Sequence, residues 1–86
     1  MARLERGARR WLIHAESDEE KALLASGRQR GGHLTLEDAV YPLDGDSLVL
    51  PAELSEGAAL KMSAAFERAA RAHSVAVARR ANLRPA

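Results

Sequence analysis

Apolar and polar positions along this chain change period twice, and each change marks an element. Near the N-terminus Trp11, Leu12 and Ile13 stand in a row between Arg9 and Ala15, an apolar run of strand length. The same run would also suit the end of a helix starting near Ala2. Ser17-Asp18-Glu19-Glu20 then has the form of a capping box, in which the Ser17 hydroxyl accepts from a backbone N–H three residues on and Glu20 reaches back. Three acids in one turn also suit the positive end of a helix dipole. The spacing predicts a short helix through Leu23 and Leu24 that stops near Gly27.

Alternation returns at His33-Leu34-Thr35-Leu36, the mark of a half-buried strand. Ala39 to Leu43 and Ser47 to Leu50 flank Asp44-Gly45-Asp46, which predicts a β-hairpin around a glycine. Glu37-Asp38 reads as a bulge or as a turn between two short strands. Pro42 and Pro51 cannot donate ladder hydrogen bonds, which places them at edges or ends.

From Ser55 the period becomes helical. Ala59, Met62, Phe66, Ala69, His73 and Ala76 recur every three or four residues, Leu83 follows two turns on, and Ser55 stands as the cap. This predicts one helix from Ser55 to Asn82, about 42 Å long at 1.5 Å per residue. A domain of this size measures roughly 30 Å across. The helix must therefore break, or overhang its domain and pack on another chain. Ser74-Val75-Ala76-Val77 is its weakest stretch, but the Ala- and Arg-rich surroundings favour continuity. The expected fold is a small α+β domain over residues 1–86, in the order β-α-β-β-α, with a short antiparallel sheet, a long C-terminal helix and a frayed 83–86.

Composition sharpens this picture. Hydrophobic residues make up 47% of the 86, but 18 are Ala and only Trp11, Tyr41 and Phe66 are aromatic, so the core is light. Cysteine is absent, which removes disulfides and thiolate metal sites as supports. Extra burial would have to come from oligomerisation or a permanent partner. No apolar run reaches the roughly 18 residues of a membrane span, and none follows the N-terminal arginines as in a signal peptide. A cytoplasmic protein with no membrane association is expected.

The net charge of +1 hides a pattern of basic ends and an acidic middle: +3 over residues 1–15, −7 over 16–60 and +5 over 61–86. The ends can neutralise the middle within or between subunits, or form a basic face for an acidic partner or phosphate backbone.

Catalytic and metal signatures are weak. Gly27-Arg28-Gln29-Arg30-Gly31-Gly32 joins flexible glycines to two guanidiniums, so Arg28 and Arg30 are candidate phosphate contacts. The loop lacks a P-loop ending and precedes a strand, which makes a solvated loop the simpler reading. Glu37, Asp38, Asp44 and Asp46 have no calcium-loop spacing, and His14, His33 and His73 have no zinc spacing. Ser17 and Ser55 are explained as caps, and no serine lies in a nucleophile elbow. No cofactor, metal or catalysis is expected.

Leu48-Val49-Leu50-Pro51-Ala52-Glu53-Leu54 resembles the strand-to-helix transition of ribbon-helix-helix DNA-binding proteins. In that family outward strand residues read bases, here Ser47 and Val49. The short turn that separates two helices there is not evident after Leu54, so the family's function is not carried over.

The leading expectation is a small non-catalytic binding protein, a homodimer, that regulates or inhibits a larger protein assembly. In size and simplicity it resembles phage and mobile-element inhibitors, anti-CRISPR proteins among them. Met62, Phe66 and Ala69 would be its contact anchors, with Arg68, Arg71, Arg79 and Arg80 supplying charge. The alternative is an antitoxin-like nucleic-acid-binding repressor that uses the basic helix face and the Arg28–Arg30 loop.

Overall fold

The computed structural model describes residues 1–82; Leu83 of the apolar stripe and the expected fraying of 83–86 lie outside the described residues. The element order is β1 (Arg3–Arg6), β2 (Arg10–His14), α1 (Asp18–Gln29), β3 (His33–Leu36), β4 (Ala39–Asp44), β5 (Ser47–Pro51) and α2 (Glu56–Asn82). The fold is α+β, a five-stranded antiparallel sheet in the order β1-β2-β5-β4-β3 with both helices on one face.

The expected order β-α-β-β-α gains two strands: a third strand stands between the helices, and β1 precedes β2 at the N-terminus. The β1 sequence Arg-Leu-Glu-Arg has a single apolar residue, because an edge strand with one solvated face carries little hydrophobic signal. Leu4 pairs with Ile13 on the core side, and the Ala2 N–H donates to Glu67 Oε2 at 2.8 Å, tying the start of the chain to α2. Trp11 to Ile13 is strand, not a helix end.

Ser17 caps α1 as its pattern predicts. Its hydroxyl accepts from the Glu20 N–H, and Glu20 Oε1 accepts from the N–H groups of Ser17 and Glu16. The helix runs past Gly27 to Gln29. Gly31, at φ 116, is the left-handed residue that ends it: the Gly32 N–H reaches back to the Gly27 carbonyl and the Gly31 N–H to that of Arg28, the Schellman pattern. Gly27 serves packing instead, for a Cβ there would lie 2.8 Å from Leu43 Cδ1 and 2.9 Å from the His33 carbonyl oxygen.

Glu37-Asp38 is a two-residue hairpin loop, with Leu36 opposite Ala39 and both loop residues at positive φ, 49 and 69. Gly45 has φ 61 in the second hairpin, where Asp44 pairs with Ser47. β5 lies at the centre of the sheet with both edges paired. A single continuous helix follows it, without the short turn between two helices of a ribbon-helix-helix protein, so that resemblance ends at the local sequence.

The core lies between sheet and helices. Trp11, Ile13, Leu48, Leu50 and Leu36 meet Leu23, Leu24, Ala59, Phe66 and Ala70. Trp11 is closed in by Arg6, whose guanidinium stands 5.0 Å from the ring centre, and its Nε1–H donates to the Leu54 carbonyl. The buried residues of α2 are Ala59, Ser63, Ala65, Phe66 and Ala70, a seam turned by about one residue from the purely apolar stripe. Ser63 holds a place in it that hydropathy alone gives to Met62.

Helix α2 is continuous, and about 40 Å long by its 27 residues. The molecule measures 51 Å along its long axis and 23 Å across each of the others. Burial on α2 ends at Ala70, His73 is half-buried, and Ser74 to Ala81 are all exposed. The last turns of the helix overhang the domain.

Candidate interaction surface

The structure divides the residues that the sequence groups as one contact surface. Phe66 is 0% exposed and sits in the core, so it is corrected from surface anchor to structural residue. Met62 and Ala69 are half-buried and pack against the same core; the Met62 sulfur faces the Tyr41 hydroxyl. None of these three offers a free apolar face like that of the overhang. Arg68 is exposed and lies 3.6 Å from Glu37 across the β3–β4 turn. Arg71 lies over a hollow shared with Glu19, Glu20 and Glu67.

Arg79 and Arg80 stand on the overhang, exposed, in the last turn of α2, where they complement the negative end of its dipole. Beside them are two apolar side chains on opposite sides of the helix: Val75 is 53% exposed and Val77 49%. Val77 and Ser74 form one wall of a shallow groove of about 200 Å³, and Asp18, Glu19 and Ala22 of α1 form the other.

The glycine loop is not a free phosphate cradle. Arg28 Nη1 donates to the Gly45 carbonyl at 2.8 Å and lies 3.4 Å from Asp46 Oδ1, so it is spent on the β4–β5 turn. Arg30 is exposed beside a hollow lined by Ser26, His33 and Thr35. Both arginines belong to the C-terminal end of α1, the negative end of its dipole, which repels an anion. Asp44, one of the carboxylates weighed for metal, accepts from Arg10 at 2.9 Å, and Asp46 faces Arg28. Among the described residues no three His, Asp or Glu side chains gather as a metal site.

One constellation is new. On the sheet face away from the helices, His14 Nε2 lies 2.5 Å from Glu5 Oε1 and its Nδ1 lies 2.6 Å from Ser47 Oγ. This acid, imidazole and hydroxyl come from β1, β2 and β5, far apart in sequence, so no motif could announce them. The hydrogen bond from His14 lowers the Glu5 carboxyl below its ordinary range. Ser47 is buried, His14 half-buried and Glu5 exposed, and the group cross-links three strands. Arg10 to Asp44 and Arg3 to Glu16 extend the same polar lacing over that face and its margin.

The described charge is therefore polarised. Acids crowd the start of α1, basic side chains the end of α2, and the exposed valines lie between them. Among the described residues no helix is long and apolar enough to cross a membrane. Compared with known protein families, curated proteins and solved structures, the chain matches none of them.

Proposed function

We propose that this chain is a small non-catalytic binding protein that acts in the cytoplasm to regulate or inhibit a larger protein assembly. Its contact surface would be the exposed end of α2. One observation carries the reading: Ser74 to Ala81 are helical yet exposed along their whole length, with Val75 and Val77 half open to solvent. A helix that buries nothing over two turns gains little from its own domain, and exposed apolar side chains rimmed by charge mark contact surfaces. Arg71, Arg79 and Arg80 would steer an acidic partner toward it.

The test is affinity capture from host extract, before and after nuclease treatment, with the wild type and a Val75→Asp/Val77→Asp variant. A protein retained after nuclease and lost with the variant supports the reading. Retention that vanishes with nuclease, or falls steeply with salt, would favour the nucleic-acid-binding repressor instead.

A further inference from the structure

The two edges of the sheet differ in character. Edge strand β1 reads Arg-Leu-Glu-Arg and is tied down by the Arg3–Glu16 pair and by the Ala2 N–H on Glu67. Charges spaced along an edge keep other strands away. Edge strand β3 reads His-Leu-Thr-Leu, with no Lys, Arg, Asp or Glu. Beside it lies a hollow of about 180 Å³ lined by Ser26, Gly27, Arg30, His33, Leu34 and Thr35. No residue of β4 lines that hollow, so it opens on the free side of the strand.

The hairpin register decides which backbone groups face that side. Leu36 and Ala39 flank a two-residue loop and exchange hydrogen bonds, after which unbonded and bonded pairs alternate along the ladder. Leu34 therefore bonds to Tyr41, and in the same parity the Leu43 N–H donates to the Gly32 carbonyl at 3.0 Å. His33 stands opposite Pro42, which has no N–H to give, and Thr35 opposite Val40. The N–H and C=O groups of His33 and Thr35 thus point away from β4.

That arrangement matches itself. Two β3 strands set antiparallel about an axis at Leu34 place His33 of each against Thr35 of the other, so every outward group of both strands finds a partner. Opposed residues of an antiparallel pair share a face, so half-buried Leu34 meets Leu34 on the helix side. Asp38 of one copy, four residues beyond Leu34, falls level with Arg30 of the other, four residues before it. Both are exposed, and among the described residues neither takes part in an ion pair, while Glu37 already faces Arg68 of its own copy.

We propose that β3 is covered by β3 of a second copy of this chain, antiparallel about a two-fold axis at Leu34, so that the two sheets run on as one. Backbone groups supply the ladder, and the Arg30–Asp38 pairs and the opposed leucines select this chain over other extended segments. The contact is isologous and closes at two subunits, because the charged β1 edges are left outermost. It leaves the end of α2 free and does not depend on the binding surface proposed there.

The test is sedimentation of the whole chain across micromolar concentrations, with circular dichroism to follow folding. The wild type should dimerise. Thr35→Pro removes an outward N–H and no bond to β4, so it should give a folded monomer. Arg30→Glu and Asp38→Lys should each weaken the dimer roughly tenfold, and their combination should restore it. Residues opposed at such an axis stand about 4.5 Å apart at Cα, within the span of a disulfide. The chain has no cysteine, so Leu34→Cys gives a single thiol that should oxidise to a cross-linked dimer, whereas Leu60→Cys should not. If Thr35→Pro fails to fold, the charge exchange and the cross-link decide. A folded wild-type monomer at high micromolar concentration overturns the pairing, even if that monomer takes up a foreign extended peptide at β3. So does a dimer that survives Thr35→Pro or is lost with Val75→Asp/Val77→Asp. A monomer that still captures a host protein through Val75 and Val77 counts against the pairing alone, and an intact dimer that captures nothing counts against the α2 surface alone.

Discussion

The Trp11 indole donates its Nε1–H to the carbonyl oxygen of Leu54 at 3.0 Å, joining the second strand to the turn that launches the long helix. The bond fixes where α2 leaves the sheet. Trp11→Phe keeps an aromatic ring but loses this bond and weakens the Arg6 contact over the indole. A loss of about 1–2 kcal/mol follows, read as a shift of the urea midpoint by circular dichroism. Trp11 is the one tryptophan of the chain, so fluorescence of the wild type reports the same junction.

Gly27→Ala should destabilise, against helix propensity. An alanine gains roughly 1 kcal/mol in a helix interior. Here its Cβ would stand 2.9 Å from the His33 carbonyl oxygen, a backbone atom that cannot swing aside, and α1 would have to lift from β3 and β4. A net loss of about 1–3 kcal/mol is expected in the same denaturation measurement.

The β3–β4 loop should be improvable. Glu37 and Asp38 both hold positive φ, a region that costs a non-glycine residue roughly 1 kcal/mol. Glu37→Asn/Asp38→Gly suits a two-residue turn of that shape and should raise the thermal midpoint by several degrees. The exposed Glu37–Arg68 pair lost in the exchange contributes little.

The Glu20 carboxylate should make stability depend on acid. Burial opposes its ionisation, but the N–H groups of Glu16 and Ser17 outweigh that and hold its pKa below the ordinary 4.5. A depressed carboxylate pKa stabilises the fold above the ordinary value and ceases to do so as pH falls through the lower folded value. Glu20→Gln should therefore be less stable than the wild type by about 1–2 kcal/mol at neutral pH. The gap should narrow below pH 4.5. Denaturation at both pH values checks it, and a gap that stays constant would show that shape, not charge, holds the cap.

The end of α2 should be thermodynamically silent in the monomer. Val75 and Val77 are about half exposed, so replacing both with Asp should move the urea midpoint, at a concentration where the chain is monomeric, by no more than roughly 0.5 kcal/mol.

Legibility in this chain follows how local each cause is. The α1 cap and the Asp44–Ser47 hairpin rest on residues within four of one another, and the pattern names them. The long helix is as plain, since its period repeats over many turns. Strand β1 escapes because its partner supplies the reason for its existence and its own side chains are mostly charged. Gly27 and Gly31 exchange roles for a similar reason: the contact that needs a glycine at 27 comes from His33 and Leu43, across the fold. Of the candidate surface, the arginines are legible as a charge run, whereas Phe66 stands out in the sequence for the size that puts it inside. The grouping of Glu5, His14 and Ser47 depends wholly on strand register and could not be read in advance.

The division of α2 at His73 has an evolutionary consequence. Buried positions before that point are constrained by their neighbours in the core, whereas those after it are exposed, with only Ser74 and Val77 facing α1 across a shallow groove. Sequence variation confined to the last two turns would thus change the exposed surface of the helix with little effect on folding, and, if the proposed binding role holds, would retarget the molecule.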